Sequence, residues 1–577
     1  MRRFGSAAMC CALLVLAGCG DAGERAQEPS PSPTVTSASS GATASPTPTA
    51  PSATPSTPQT SPTSASPSPS DSGPGGPSLP TTSGRSTHPS AELGLTTGWG
   101  PTRAELDEAT RRVRALSLPD LAGQVIVASY RGTTAPVRMV NDLHLGGVIV
   151  FADNISSLRQ LRASNAALQS GVRRGWPVLI GVDQEGGIVA RVQGGETRFP
   201  TYLSAGAADD ARTTQRAGRA MADELRYLGF TMDFAPDADV TIGPSDPTIG
   251  SRSAGSWPGL VARAVVASTS GFAPSGVVPV LKHFPGHGSV TADSHTTLPV
   301  QRRSLTELRK IDFVPFAAGA DHGAPSVMVA HIDVRAIDPG VPSSLSRKVV
   351  TGTLRQELGF HGLVVTDSLS MAGVTEQYNS ARSAVRALRA GDDVLLMPPD
   401  PRAARNGIVA AVRDGRLTRT RVEQAAARQV ALMLHTETAG SGLRPGSGAA
   451  ASLALSRRAV TVATGPCQGR LVGRSVTPVG DSTAVAAFRR AAAATGLGTS
   501  GGPRIAFTGY GGGAVSADIA VATDTPYVLG RSAARVKIAT YGETYGAMRA
   551  LVDVLLGKTK APGSLPVRVR GVARTGC

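Results

Sequence analysis

Residues 282–295 read Lys-His-Phe-Pro-Gly-His-Gly-Ser-Val-Thr-Ala-Asp-Ser-His. Three of the chain's nine histidines fall in this stretch, with one lysine and one aspartate. Imidazole and carboxylate side chains so close in sequence can move protons near neutral pH. An apolar run, residues 277–281, precedes them and reads as a buried strand. Two glycines and a proline then mark a loop leaving the strand end. Ionisable groups on a loop carried by a rigid strand are a common way to build an active site. Taken alone, the stretch also fits a polar surface loop or a metal-binding loop. It holds no cysteine, and the Asp293-x-His295 spacing is not that of the common zinc sites, so no metal is expected.

Other apolar runs end in the same way. One ends Ile180-Gly181-Val182-Asp183-Gln184-Glu185-Gly186-Gly187. Another ends Asp233-Phe234-Ala235-Pro236, with Asp237 and Asp239 following. His331 closes a third, and Thr366-Asp367-Ser368 a fourth. The sequence lacks a G-x-x-x-x-G-K-[ST] phosphate loop, a dinucleotide fingerprint and a G-x-S-x-G nucleophile elbow. A paired carboxylate and acid/base at such positions points to glycoside hydrolysis.

These groups need a scaffold that gathers strand ends. Apolar runs occur at residues 124–130, 146–151, 177–183, 231–236, 277–283, 326–332, 362–367 and 392–397. Amphipathic stretches, among them 156–173, 208–228, 257–272 and 343–358, lie between them, and residues 102–116 read as a leading helix. Ser304-x-x-Glu307 is a capping-box signal for a helix before Phe313. Strands alternating with helices imply right-handed crossovers and a parallel sheet. Eight such units predict an α/β fold built on a (β/α)8 TIM barrel, whose active site lies at the C-terminal strand ends. The barrel is expected over residues 96–437.

The flanks differ in character. Met1-Arg2-Arg3 and the apolar residues 7–16 form a signal-peptide pattern too short to span a bilayer as a mature helix. Its end, Leu16-Ala17-Gly18-Cys19, resembles a bacterial lipobox, which implies cleavage after residue 18 and acylation of Cys19. Residues 19–95 are rich in Ser, Thr and Pro, with too few large apolar residues to bury a core, and read as a disordered tether. Residues 438–449 are Gly-rich and read as a linker. Residues 450–577 alternate short strands (453–464, 504–508, 519–523, 534–540) with a helix at 545–556, as a smaller α/β sandwich domain would. Removal of the leader leaves Cys467 and Cys577 unmodified. In an exported protein these suggest one disulfide, closing a loop of about 110 residues worth roughly 4–5 kcal/mol. The net charge of +16 could attract an anionic polymer, but the arginines are spread out and no nucleic-acid-binding motif is present. No nucleic-acid partner is expected.

The motifs resemble glycoside hydrolase family 3, in its branch of bacterial exo-β-N-acetylglucosaminidases and in lipoprotein form. The likeness is carried by Val182-Asp183-Gln184-Glu185-Gly186-Gly187, Asp233-Phe234-Ala235-Pro236 and Ile249-Gly250-Ser251-Arg252-Ser253. It is carried most by Lys282-His283-Phe284-Pro285-Gly286-His287-Gly288 with Asp293-Ser294-His295, and by Thr366-Asp367-Ser368-Leu369 with Met371. The resemblance implies that Asp367 is the nucleophile of a retaining double displacement. His295 would be the general acid/base and Asp293 its partner. Asp183, Arg191, Arg252, Lys282 and His283 would contact the sugar, with His287 and His331 supporting. No metal or redox cofactor is implied. The implied substrate is a GlcNAc-containing glycan or muropeptide, and the implied place an extracytoplasmic, lipid-anchored monomer. A GlcNAc phosphorylase, a β-glucosidase of the same family and a non-catalytic wall-binding lipoprotein remain as alternatives. Ala254 and Ser289-Val290 depart from the family pattern. Ala539-Thr540-Tyr541-Gly542 and the run from Gly557 to Val567 resemble the second domain of multi-domain members, which would shape access to the barrel mouth or only stabilise it. The loop carrying Asp293 and His295 is expected to bend at its glycines, leaving His295 distant from Asp367 without ligand.

Overall fold

The computed structural model describes residues 88–574. The expected leader, Cys19, most of the tether and Cys577 lie outside the described residues. Cys467 is disulfide-bonded.

Each of the eight apolar runs contributes one barrel strand. They are β1 (Ile126–Ser129), β2 (Gly147–Val150), β3 (Leu179–Val182), β4 (Met232–Asp233), β5 (Val278–Phe284), β6 (Ser326–Val329), β7 (Leu363–Thr366) and β8 (Leu395–Leu396). They form one eight-stranded sheet in which every pairing is parallel. The seam between β7 and β8 is closed by the Thr366 N–H donating to the Val394 carbonyl at 3.0 Å. Burial on both faces explains why these strands read as unbroken apolar runs rather than as alternating ones. β4 is shorter than its run because Ala235-Pro236 interrupts it, and proline has no N–H for the ladder. Pairing resumes one residue later, where Asp237 bridges Lys282 on β5.

Helices with local start signals surround the barrel. Asp210 caps Ala211–Tyr227, Ser157 caps Leu158–Gly171 and Asn379 caps Ser380–Ala390, each side chain accepting a backbone N–H of the first turn. The capping box expected at Ser304 and Glu307 opens Leu305–Lys310, and Thr102 with Glu105 forms another. Packing begins earlier than the expected tether boundary at residue 95. Ser90, Leu93 and Leu95 are buried, and the Ser90 N–H binds Asp107 at 3.1 Å. Two leucines and one local hydrogen bond supply an ordered turn that composition alone does not reveal.

Beyond residue 448 a five-stranded sheet forms from β9 (Thr461–Thr464), β10 (Thr477–Gly480), β11 (Arg504–Thr508), β12 (Ile519–Ala522) and β13 (Val536–Ala539). Its order is β9-β13-β12-β11-β10, with β9 antiparallel and the rest parallel. β10 is not among the expected strands, because Pro478 argues against one. Proline is tolerated there because β10 lies at a sheet edge. Helices Ala449–Ala459, Ser482–Ala493 and Tyr545–Leu555 cover the sheet, so residues 453–459, expected as strand, are helical and only Thr461–Thr464 of that run pairs in the sheet. Tyr541, fully buried, links it to the barrel half: its carbonyl accepts the Thr201 N–H at 2.8 Å, and its hydroxyl bonds Thr461 at 2.9 Å. Phe199, Leu203, Leu455, Leu565 and Val567 pack around it. The stretch read as a linker is strapped to helix Ala211–Tyr227, with the Leu443 N–H on the Asp223 carbonyl at 2.9 Å and the Gly448 N–H on Glu224 at 2.8 Å.

Candidate active site

At the C-terminal ends of the barrel strands lies a cleft of about 470 Å³. Asp183, Arg191, Arg252, Lys282, His283, Asp293, His295 and Asp367 all line it, so every catalytic and sugar-contact residue expected from the sequence reaches one place.

Asp183 leaves β3, and Lys282 and His283 lie on β5. Lys282 is 2% exposed, and its ammonium lies 3.0 Å from Asp183 and 2.7 Å from Glu185. Glu185 also accepts two hydrogen bonds from Arg252, both at 2.8 Å. Burial alone would raise the pKa of Glu185, but the Arg252 and Lys282 charges outweigh it and hold the carboxyl far below its usual value. Burial disfavours the charged forms of Lys282 and Arg252, and Glu185 reverses that, raising both. Glu185 is therefore the hub that fixes both cations. In the sequence Glu185 stands only as part of the motif at residues 182–187, with no role attached to it. Its position two residues beyond Asp183, on the same face of an extended segment, was the available signal.

The segment is held from below. Gln184–Gly186 pairs with Val189–Ala190 as a short hairpin, and the Gln184 N–H donates to Asp233 at 2.9 Å. Asp233 is fully buried, and burial raises its pKa well above normal. Arg191 is half-buried; its guanidinium lies 5.8 Å from the Phe151 ring centre, and its Nε is buried without a partner among the described residues.

His283 sits 2.7 Å from Asp239 through Nδ1. This contact is not an ordinary ion pair. Burial dominates both partners, driving His283 down to about 3, aided by Arg252, and Asp239 up to about 7. His283 is thus neutral and donates Nδ1–H to Asp239. Its Nε2 remains an acceptor, 3.4 Å from Arg252, suited to a hydroxyl group. Asp239 also accepts the backbone N–H of His283 at 3.2 Å, which ties the β4 end to β5. Asp237, Asp239 and His283 place ligand atoms within 4.8 Å of one another. An ion among them would lie beside the Arg252 guanidinium, itself 4.0 Å from Asp237, so the surroundings oppose a divalent cation.

Asp367 follows β7, its carboxylate accepting the Ser368 N–H at 2.7 Å. Burial acts to raise its pKa, but the surrounding imidazoles, where protonated, and that N–H outweigh it, and the net shift is downward. The carboxylate is therefore ionised at neutral pH. His331, fully buried, bridges Ser344 at 2.7 Å and the Ser368 carbonyl at 2.9 Å, so it braces the Asp367 turn rather than facing ligand.

Asp293 and His295 form a dyad on the loop after β5. One Asp293 oxygen accepts the His295 backbone N–H at 2.9 Å and meets Nδ1 at 2.7 Å. The His295 side chain is 65% exposed, so the dyad faces the cleft from its wet side. Between the two, Ser294 is buried, its hydroxyl 2.9 Å from His287 Nε2 and its carbonyl accepting the Gly373 N–H at 3.3 Å. A Cβ at Gly286, where φ is +125°, would meet Asp312 Cβ at 2.7 Å, and one at Gly288 the Val240 carbonyl at 2.8 Å. Both allow close approach of packed neighbours. Tyr510, from the C-terminal sheet's β11–β12 loop, also lines the cleft, a contribution the sequence did not signal.

An ionised carboxylate at a strand end, a carboxylate–imidazole dyad lining the same cleft and buried cations on its floor suit nucleophilic displacement at a sugar carbon. Residues 117–432 match the glycosyl hydrolase family 3 N-terminal domain. β-Hexosaminidase A of Pseudoalteromonas piscicida is 35% identical over 289 residues, 46% of this chain, and the match spans only about half, 48%, of that protein. The β-hexosaminidase of Nitrosomonas eutropha is 35% identical over 291 residues, 49% of this chain and 81% of that protein. A solved family 3 β-N-acetylglucosaminidase from Paenibacillus sp. str. FPU-7 superposes with a TM-score of 0.69 at 27% identity, covering 79% of this chain and 99% of that one.

Proposed function

Because the chain belongs to glycosyl hydrolase family 3, and is thereby a glycoside hydrolase, we propose that it is a retaining exo-β-N-acetylglucosaminidase acting on peptidoglycan fragments. The observation that carries this reading is the pairing, in one cleft, of Asp367 with the Asp293–His295 dyad. The names of its β-hexosaminidase relatives support the choice of sugar.

In the proposed reaction Asp367 attacks the anomeric carbon while imidazolium His295 gives its proton to the departing oxygen. The glycosidic bond breaks and a glycosyl ester forms on Asp367. His295, now neutral, takes a proton from water, which attacks the same carbon and releases the sugar with retained configuration. Asp293 holds the imidazole ring through Nδ1. Lys282, Arg252, Asp183 and neutral His283 bind ring hydroxyls, and bonds that tighten as charge develops at the anomeric carbon lower the barrier. The signal-peptide pattern and the lipobox-like run ending at Cys19 support a proposed lipid-anchored place outside the cytoplasm.

Asp367→Ala and His295→Ala should each lower turnover of an aryl N-acetylglucosaminide by orders of magnitude, while the aryl glucoside is a poor substrate for the parent. Unchanged rates in both variants would sink the assignment of roles. No carboxylate stands in the acid/base position to repel phosphate, so products are compared with and without phosphate; GlcNAc-1-phosphate would identify a phosphorylase.

A further inference from the structure

The wall of the catalytic cleft made by Pro247, Thr248, Ile249 and Tyr510 is also a wall of a second cleft, of about 790 Å³, between the barrel and the C-terminal sheet. Tyr510 is 69% exposed, an unusual position for a large aromatic side chain, and it stands where the two clefts join. The C-terminal half supplies Arg531, Arg568 and Arg570 to the second cleft. All three are exposed, and none has an ion-pair or hydrogen-bond partner among the described residues. The two carboxylates present are already engaged. Asp246 accepts the Thr241 hydroxyl at 2.8 Å and the backbone N–H groups of Thr248, Ile249 and Gly250 at 3.0, 2.8 and 3.1 Å. Asp524 accepts the Ser251 hydroxyl. The cleft therefore offers three guanidinium groups to a ligand and no uncommitted carboxylate.

We propose that this second cleft is the aglycone site, and that it selects aglycones bearing carboxylates. The sugar next to the cleaved bond stacks on Tyr510, since an exposed aromatic face suits the apolar side of a pyranose. Arg531, Arg568 and Arg570 then pair with carboxylates carried on that sugar or on its attached peptide. Guanidinium is the group best fitted to this, through planar paired hydrogen bonds. The inference rests on the N-acetylglucosaminidase reading and gives the C-terminal half a part in specificity rather than in the chemical step.

The test uses the full chain and a triple variant, Arg531→Ala with Arg568→Ala and Arg570→Ala. Three substrates are compared: an aryl N-acetylglucosaminide, N,N′-diacetylchitobiose (both neutral), and GlcNAc-β-1,4-N-acetylmuramyl-L-alanyl-D-isoglutamine. The triple variant should lose at least tenfold in kcat/KM on the acidic substrate, mostly through KM, and stay within twofold on the two neutral ones. High salt should reproduce the loss in the parent. Tyr510→Ala should weaken both disaccharides. Muramyl dipeptide, titrated calorimetrically, should bind the parent and bind the triple variant at least tenfold less well. Equal losses on neutral and acidic substrates, or equal binding of muramyl dipeptide, would overturn the inference and leave the hexosaminidase reading standing. A parent that cleaves none of the three substrates would overturn that reading instead, and the calorimetric comparison would still decide this one.

Discussion

Replacing Glu185 with glutamine tests whether that residue organises the floor of the cleft. Both of its oxygens are occupied, by Arg252 at 2.8 and 2.8 Å and by Lys282 at 2.7 Å, and its side chain is 2% exposed. Glutamine keeps the shape but turns one acceptor into a donor facing a cation. Lys282 would then keep Asp183, which is 18% exposed, while Arg252 would keep Asp237, 4.0 Å away, whose carboxyl pKa burial raises well above normal. Removing one member of a buried ion pair typically costs about 3–5 kcal/mol. The same loss frees both cations from their aim at the substrate, and losing charge-assisted hydrogen bonds of about 1.5–3 kcal/mol lowers kcat/KM by roughly 10–100-fold. Stability is read by urea unfolding followed by tryptophan fluorescence. All three tryptophans, Trp99, Trp176 and Trp257, belong to the barrel half, so the signal reports the half that carries the change. Glu185→Gln combined with Lys282→Met removes one stranded cation. The double variant should therefore cost at least about 1 kcal/mol less than the sum of the singles. A cost below about 1 kcal/mol for Glu185→Gln, or strict additivity in the pair, would refute the hub.

The opposite end of the barrel provides a contrast. Asp393, buried just before β8, accepts from Arg355, Arg421 and Arg428 at 2.5, 3.1 and 3.1 Å and from the Val364 N–H at 3.1 Å. Asp393→Asn should lower the unfolding free energy by about 3–5 kcal/mol while KM for an aryl N-acetylglucosaminide, read on folded protein, stays within twofold. The Asp239–His283 pair predicts a pH effect. Asp239, raised to about 7, contributes stability that is full below pH 4 and is lost as pH rises through 7. His283, lowered to about 3, contributes stability that is full above pH 6.5 and is lost as pH falls toward 3. The two slopes oppose each other between pH 4 and 6.5. Asp239→Asn removes the first, so urea midpoints across that window should rise with pH more steeply than in the parent, by up to about 1.4 kcal/mol per pH unit. Parallel curves for the two proteins would contradict the assignment.

What the sequence made legible follows from where the information is local. The barrel strands showed themselves because a strand buried on both faces must be apolar throughout, and five of the runs, those of β3 to β7, ended in ionisable residues whose type is costly to bury without a purpose. Asp183, Lys282, His283 and Asp367 were found that way. Glu185 was not, because its role depends on Arg252, which lies 67 residues away along the chain. Tyr510 and the arginines of the second cleft were invisible for the same reason: an exposed tyrosine or arginine carries no signal until the fold sets it beside the barrel mouth. β10 was missed because Pro478 signals a break, and only the sheet order reveals that it lies at an edge. Glycine at residues 286 and 288 permits close packing against Asp312 and Val240, which no local pattern encodes.

The central claim is a covalent sugar on Asp367, and it can be measured directly. The protein is treated with a fluorinated N-acetylglucosaminyl fluoride that forms the glycosyl-enzyme quickly and releases it slowly, then digested and examined by mass spectrometry. One fluorosugar residue should appear on the peptide containing Asp367, with activity lost in step and regained as the adduct hydrolyses. An enzyme inactivated with its label on another peptide, or one that turns the reagent over with no adduct on Asp367, would contradict the mechanism.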